Sequence, residues 1–360
     1  MSTQKQLIAL IATTASLVSF LAGYLFVQPA YQSAGITSQQ RGNILDRFNG
    51  LVSSSIPTDT LIAGSLFRVT SDSTLSATND PTSDSVLYYH RDTGLVSRVG
   101  LSDHASTLVS STALPHLVRI SWSPDKKKVV SVYSSSKGRV YKYFDYDTRE
   151  QATLGTDIID AVFSPDSQWL ALAKVLGGET DIIIAQSNGD TPKTILKTRL
   201  NDMSLAWPSD HVLSLLVQSS DTADFYTLTD TGDLTKILDS QAGLKILWST
   251  DGSQLLYSTT TNSQTVLTIR TVVNGEERTV SLATQADWCS WFLDSKSFVC
   301  AVEQNDNTSI QNVSVADLAT KTLASDLIFT PENIFLSHLE DFVILINRAD
   351  HSVYAIKLPN

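Results

Sequence analysis

The sequence predicts an all-β protein: a β-propeller of four-stranded blades, seven favoured and six the alternative, preceded by one transmembrane helix. Three observations carry this reading. An aromatic-to-aspartate box recurs as Trp122-Ser123-Pro124-Asp125, Phe163-Ser164-Pro165-Asp166, Trp207-Pro208-Ser209-Asp210, Trp248-Ser249-Thr250-Asp251 and Trp291-Phe292-Leu293-Asp294, with the rings 41, 44, 41 and 43 residues apart. A fixed period of 40-odd residues marks a repeat architecture, and strand-like flanks make that repeat a propeller blade. Ahead of the repeats, Leu7 to Val27 is a run of 21 residues without a charge.

In chain order, residues 1–6 form a short cytoplasmic end and 7–27 the anchor. At ~1.5 Å per residue the run spans about 31 Å as a helix, matching a hydrocarbon core of ~30 Å. Lys5 precedes it and no charge follows until Arg41, so the positive-inside rule leaves the amino terminus in the cytoplasm and the rest outside. A cleaved signal peptide is the rival, but its apolar region is shorter and Gln32-Ser33-Ala34 is a poor cleavage site. Residues 28–60, rich in Gln, Ser, Gly and Thr, read as a tether with one short amphipathic piece from Asn43 to Phe48.

Residues 61–360 form the propeller. In the unit around Phe163, Asp160–Phe163 is a strand and Ser164-Pro165-Asp166-Ser167 reverses the chain, Pro presetting φ and Asp bonding its own backbone. Trp169–Ala173, Asp181–Ala185 and Thr194–Leu196 follow as strands, separated by turns at Gly177-Gly178 and Asn188-Gly189. Blades bury both faces, so near-continuous apolar strands are expected. Upstream, Ser85–Tyr89, Leu95–Val99 and Thr107–Ser110 supply a further blade. Downstream, Ile334–Leu336, Phe342–Ile346 and Ser352–Leu358 supply three strands only. An open edge invites aggregation, so Leu61–Val69, the spare strand-like segment, is expected to cross over and complete the last blade.

The box, the apolar strand after it and the x-Gly-Asp/Glu turn resemble the TolB-type and Trp-Asp-type propeller repeat, over residues 60 to 360. The glycine usual after the box Asp survives only as Gly252; Lys126, Ser167, His211 and Ser295 replace it elsewhere. What the resemblance implies is the propeller repeat and no single activity.

Recurrence decides what the box does. A catalytic residue appears once, whereas a ring and an acid repeated in every blade serve the blade. The formal charge of −11 argues against a nucleic-acid surface, which needs clustered Lys and Arg. The six histidines, His90, His104, His116, His211, His338 and His351, show no metal spacing. There is no Gly-x-Ser-x-Gly elbow and no phosphate-binding glycine loop. Neither a metal nor a cofactor is expected. Asp145-Tyr146-Asp147 and Asp230-Thr231-Gly232-Asp233 fall on hairpin turns and read as turn formers rather than calcium ligands. Cys289 and Cys300 flank one hairpin: a two-residue turn makes them face each other, a three-residue turn points them apart. The longer turn is usual in this repeat, so free, buried thiols are expected.

Three functions compete. The leading one is a non-catalytic binding or scaffold module, anchored in the membrane with its propeller outside, for a protein or glycan partner in the cell envelope. The second is an extracytoplasmic hydrolase or lyase with a carboxylate site in the channel, for which Asp202, Asp287, Glu179 and Glu303 are candidates only by default. The third is a sensor or structural part of an envelope complex, with the small residues of the anchor packing against partner helices. Binding is expected three residues before each box aromatic, where the first strand of a blade begins. The residues there are Arg119, Asp160, Ser204, Lys245 and Trp288, all different over a constant box. Arg119, Asp160, Lys245 and Trp288 are therefore the candidate binding residues, Trp and Arg being dominant in interface energetics.

Overall fold

The computed structural model describes residues 65–304 and 307–359. The expected anchor (7–27) and tether (28–60) lie outside the described residues. Among the described residues no helix is long and apolar enough to cross a membrane. They form seven antiparallel four-stranded sheets. Blades 1 to 6 span residues 74–110, 117–155, 158–198, 203–242, 245–280 and 289–327, and blade 7 takes residues 331–357 together with Leu66–Thr70. The favoured count of seven is the observed one.

Each blade runs from an inner strand outwards, and neighbouring blades bury their facing surfaces. Blade 3 shows how the sequence does this. The strand Trp169–Leu176 turns through Gly177 and Gly178, both with positive φ (59° and 89°), and returns as Glu179–Gln186 with Leu176 opposite Glu179. Two successive left-handed residues suit the twist of a two-residue hairpin, and glycine takes that conformation without a Cβ penalty. Leu170, Ala171, Leu172 and Ala173 are all buried, as strands covered on both faces must be.

At Trp122 and Trp248 the box is a clasp between blades. Its serine hydroxyl donates to its aspartate (Ser123 to Asp125, 2.5 Å; Ser249 to Asp251, 2.7 Å) and accepts the amide five residues on (Lys128 and Gln254, 2.9 Å each). Forward, the amides of Asp125 and Asp251 donate to Ser167 Oγ and Ser295 Oγ of the next blades, each at 3.2 Å. Backward, Trp122 Nε1 reaches Ser76 O at 2.8 Å and Trp248 Nε1 reaches Ser214 Oγ at 3.0 Å. Hydrogen bonding from Ser253 and Ser249 overcomes burial and holds the Asp251 carboxyl down at about 2. The position after the aspartate stays left-handed without its glycine: φ is 59° at Lys126, 63° at Ser167 and 55° at Ser295, beside 68° at Gly252.

That left-handed residue corrects the expectation for the cysteines. The loop from Leu293 to Lys296 holds four residues, because Phe292 N bonds Ser297 O while Ser295 N turns back to Phe292 O. Four has the parity of two, so Cys289 stands opposite Cys300 and the pair is a disulfide, not two free thiols.

The ring is closed by crossover, as the spare strand requires. Leu66–Thr70 pairs antiparallel with Val353–Lys357, Leu66 opposite Ile356 and Phe67 opposite Ala355. Val69 joins Tyr88, Val99, Phe342 and Ile344 in the core between blades 7 and 1. Phe67 sets its ring edge-on to Phe342, 5.9 Å between centroids.

The same seam carries an electrostatic cost. Burial, and then the Asp341 carboxylate facing it, push Asp84 up to about 6; His338 and Lys357 oppose this only in part. Asp84 Oδ1 is buried without a hydrogen-bond partner. A carboxyl with a folded pKa above its unfolded value stabilises the fold while protonated, below about pH 4, and loses that contribution as pH rises through about 6. Asp84→Asn should therefore raise the unfolding free energy at pH 7 by about 1–2 kcal/mol, allowing for screening, and change little at pH 4. Equal gains at both pH values in urea titrations would refute this.

Candidate functional site

The inner strands line the channel, and they begin at the end opposite the box turns. At that mouth the structure places the starts of Leu117–Trp122, Ile158–Phe163, Met203–Ser209 and Lys245–Trp248. In blade 6 the corresponding residues form a short 3-10 turn, Ala286–Trp288, ahead of the strand Cys289–Trp291.

Arg119 and Asp160 are brought together. Arg119 Nη2 donates to Asp160 Oδ1 at 2.6 Å across the seam between blades 2 and 3. Asp160 is itself buried, 5% exposed, and its second oxygen accepts the Leu205 amide of blade 4 at 2.8 Å. One carboxylate thus ties three consecutive blades, while the Arg119 side chain stays 44% exposed. Ser204, beside Leu205, is exposed.

Lys245 and Trp288 sit further round. Lys245 Nζ lies 3.5 Å from Asp287 Oδ2 of the next blade. Trp288 packs against the core between blades 6 and 7 and carries the Arg348 guanidinium over its ring, 5.0 Å from the centroid. Each of these residues is a junction between adjacent blades. The structure joins Arg119 to Asp160 directly; Lys245 and Trp288 belong to two other seams.

A cavity of about 440 Å³ opens where blades 7, 1 and 2 meet. Arg91, Arg119, Arg139 and Glu332 line it, above the inner-strand residues Thr74 to Ala77. Arg91 Nη2 is 3.8 Å from Glu332 Oε1, and its Nε is buried without a partner. Glu332 also holds His351 Nδ1. The sequence reading missed Arg91, Arg139, Glu332 and Arg348. They lie outside the box register, at or beside inter-strand connections that the period does not mark.

The carboxylates considered for catalysis are dispersed. Asp287 pairs with Lys245, Glu179 lies 4.0 Å from Arg199, and Glu303 accepts Thr330 Oγ1 at 3.2 Å. Asp145 accepts the amides of Asp147 and Thr148 at 2.8 and 2.9 Å, and Asp233 bonds Thr231 Oγ1 at 2.9 Å, so both acids shape their own turns. Among the described residues no group of three His, Cys, Asp or Glu is placed to hold a metal ion.

No protein-family model matches the sequence, and no curated protein matches it either. Solved structures do resemble the fold. An oligogalacturonate lyase in complex with manganese aligns with a TM-score of 0.62 at 13% identity, over 82% of this chain and 93% of that one. The propeller domain of the trilobed protease from Pyrococcus furiosus, which has an open velcro topology, aligns with a TM-score of 0.56 at 13% identity, over 80% and 95%. TolB from Acinetobacter baumannii aligns with a TM-score of 0.44 at 14% identity, over 69% and 65%. At these identities the likeness is one of architecture: the chain shares the propeller fold with proteins of quite different activities.

Proposed function

We propose that the chain is a non-catalytic binding module, anchored by residues 7–27 with its amino terminus in the cytoplasm and its propeller outside. It recruits an acidic protein or glycan of the envelope at the channel mouth. The observation that carries this is the cavity between blades 7, 1 and 2, where three arginines face one glutamate in a chain of formal charge −11. A cationic recess on an anionic molecule steers acidic groups to one place. Arg119, Lys245 and Trp288 supply contact around the mouth, and Asp160 sets the direction of Arg119. A disulfide between Cys289 and Cys300 fits an oxidising compartment.

The second reading is an extracytoplasmic hydrolase or lyase, an activity that the oligogalacturonate lyase carries on a similar fold. Fold alone carries no chemistry. A manganese centre would need a ligand cluster that the described residues do not supply, so no metal-dependent step is assigned to them.

The test is a crosslinking pull-down from membranes with an Arg119→Ala, Lys245→Ala, Trp288→Ala variant. Its melting temperature is measured first, because Trp288 also packs in a seam. At matched folded protein, partner recovery is expected to fall at least tenfold, and undiminished recovery would move the site away from this mouth.

A further inference from the structure

The seam between blades 1 and 2 is thinly filled. Its buried core is Leu75, Tyr89, Val96, Ile120 and Val129, half the number buried in the seam between blades 7 and 1, with Leu114, Leu117, Trp122, Phe144 and Tyr146 only partly buried against it. Outside that core the blades part into a cleft of about 490 Å³. The size falls in the range of small-molecule sites. On the blade 1 side the outer strand Ser106–Ser110 is exposed along most of its length, with Leu108 56% exposed, and Ser110 is the residue of that strand that lines the opening.

The floor and walls are aromatic and already satisfied. The Tyr89 and Tyr146 hydroxyls bond each other; Tyr89 is buried, 1% exposed, beneath the floor, while the half-buried rings of Phe144 and Tyr146 border the cleft. Trp122 stacks behind Tyr146 at an interplanar angle of 17°, and Phe144 meets it edge-on at 5.0 Å. Tyr146 is thereby held in place without help from a ligand.

The charges in the cleft are of one sign. Lys142 and Arg149 line it, and no Asp or Glu does. Lys142 Nζ sits 4.9 Å over the Tyr133 ring, which positions the ammonium without neutralising it. Among the described residues neither cation is in an ion pair, as eleven other lysines and arginines are.

We propose that this cleft binds a small aromatic carboxylate, its ring against Phe144 and Tyr146 and its carboxylate between Lys142 and Arg149. A sugar fits less well. Its many hydroxyl donors need strong acceptors, and the cleft has no carboxylate: it offers cationic donors, Ser, Thr and Tyr hydroxyls and the single carboxamide of Gln151. The site is separate from the channel mouth and independent of what binds there.

The experiment is calorimetric titration of the full-length chain with three probes: 2-naphthoate, 2-naphthalenemethanol and glucuronate. Saturable binding of 2-naphthoate is expected with Kd below about 1 mM, a modest affinity suited to so small a probe. The uncharged alcohol and the non-aromatic acid should each bind at least tenfold more weakly. The variant Lys142→Gln, Arg149→Gln alters exposed side chains, so its melting temperature should hold while naphthoate affinity falls at least tenfold. Absence of saturable naphthoate binding, equal binding of the alcohol, equal binding of glucuronate, or full affinity in the variant would each overturn the proposal. The probe comparison runs on the unaltered chain, so the outcome stands however the variant folds.

Discussion

Removing residues 58–70 should lower the melting temperature by about 6–10 °C, whereas removing residues 30–45 should leave it nearly unchanged. The first deletion takes away the strand Leu66–Thr70, which supplies the outer edge of blade 7. It empties the places of Phe67 and Val69 in the core that joins blades 7 and 1. Losing one large and one medium apolar side chain costs about 3–5 kcal/mol, and in a domain of this size each kcal/mol is worth about 2 °C. It also bares the backbone of Val353–Lys357, so the truncated protein should self-associate on a sizing column at raised concentration. Equal melting temperatures for the two deletions would mean that the crossover strand does not close the ring.

Asp160→Ala should cost about 2–4 kcal/mol, well beyond an ordinary exposed ion-pair loss. The variant strands two groups at once: the Leu205 amide at a buried position and the Arg119 guanidinium. An unsatisfied buried donor is penalised by desolvation as well as by the lost bond. Arg119→Ala should cost under about 1 kcal/mol, because that side chain is half in solvent. Asp160→Asn should fall between, since its amide oxygen still accepts from Leu205. Denaturant unfolding of the three variants checks the order. An Asp160→Ala loss no larger than that of Arg119→Ala would show that the buried oxygen of Asp160 contributes nothing.

The five boxes are legible because each pairs a ring with a turn-forming aspartate, and at Trp122 and Trp248 the box also clasps both neighbouring blades. Blade 1 was harder. Its first strand, Thr74–Asn79, is polar, bulged between Leu75 and Thr78, and ends in Asn79 where other blades place a ring. Without the aromatic the period has no mark there, although Asp80 still accepts from Thr82 at 2.8 Å. The third box, in blade 4, also departs from the pattern: Ser209 pairs directly with Val212, so His211 does not take the left-handed place that a glycine would. The cysteine pairing was misjudged by one residue of loop length, and in a strand one residue reverses every side chain. At the mouth, position in the repeat located Arg119, Asp160, Lys245 and Trp288 but could not reveal their bonding. Asp160 is polar in composition and buried in fact, and only its two partners on neighbouring blades explain why.

The crossover strand also dictates an order of events. Arg68 bonds Asp350 across 282 residues of chain, and Thr74 Oγ1 bonds the carbonyl of His351 across 277. Blades 1 to 6 are built from strands adjacent in sequence and can form as each emerges from the ribosome or a translocation pore. The first described strand has no partner until the last has arrived. Contacts of such long sequence separation are slow to form, because the chain between them must first be ordered. Leu66–Thr70 is therefore the final piece to dock, and any interruption of synthesis before Val353 leaves a complete-looking row of blades that never becomes a ring.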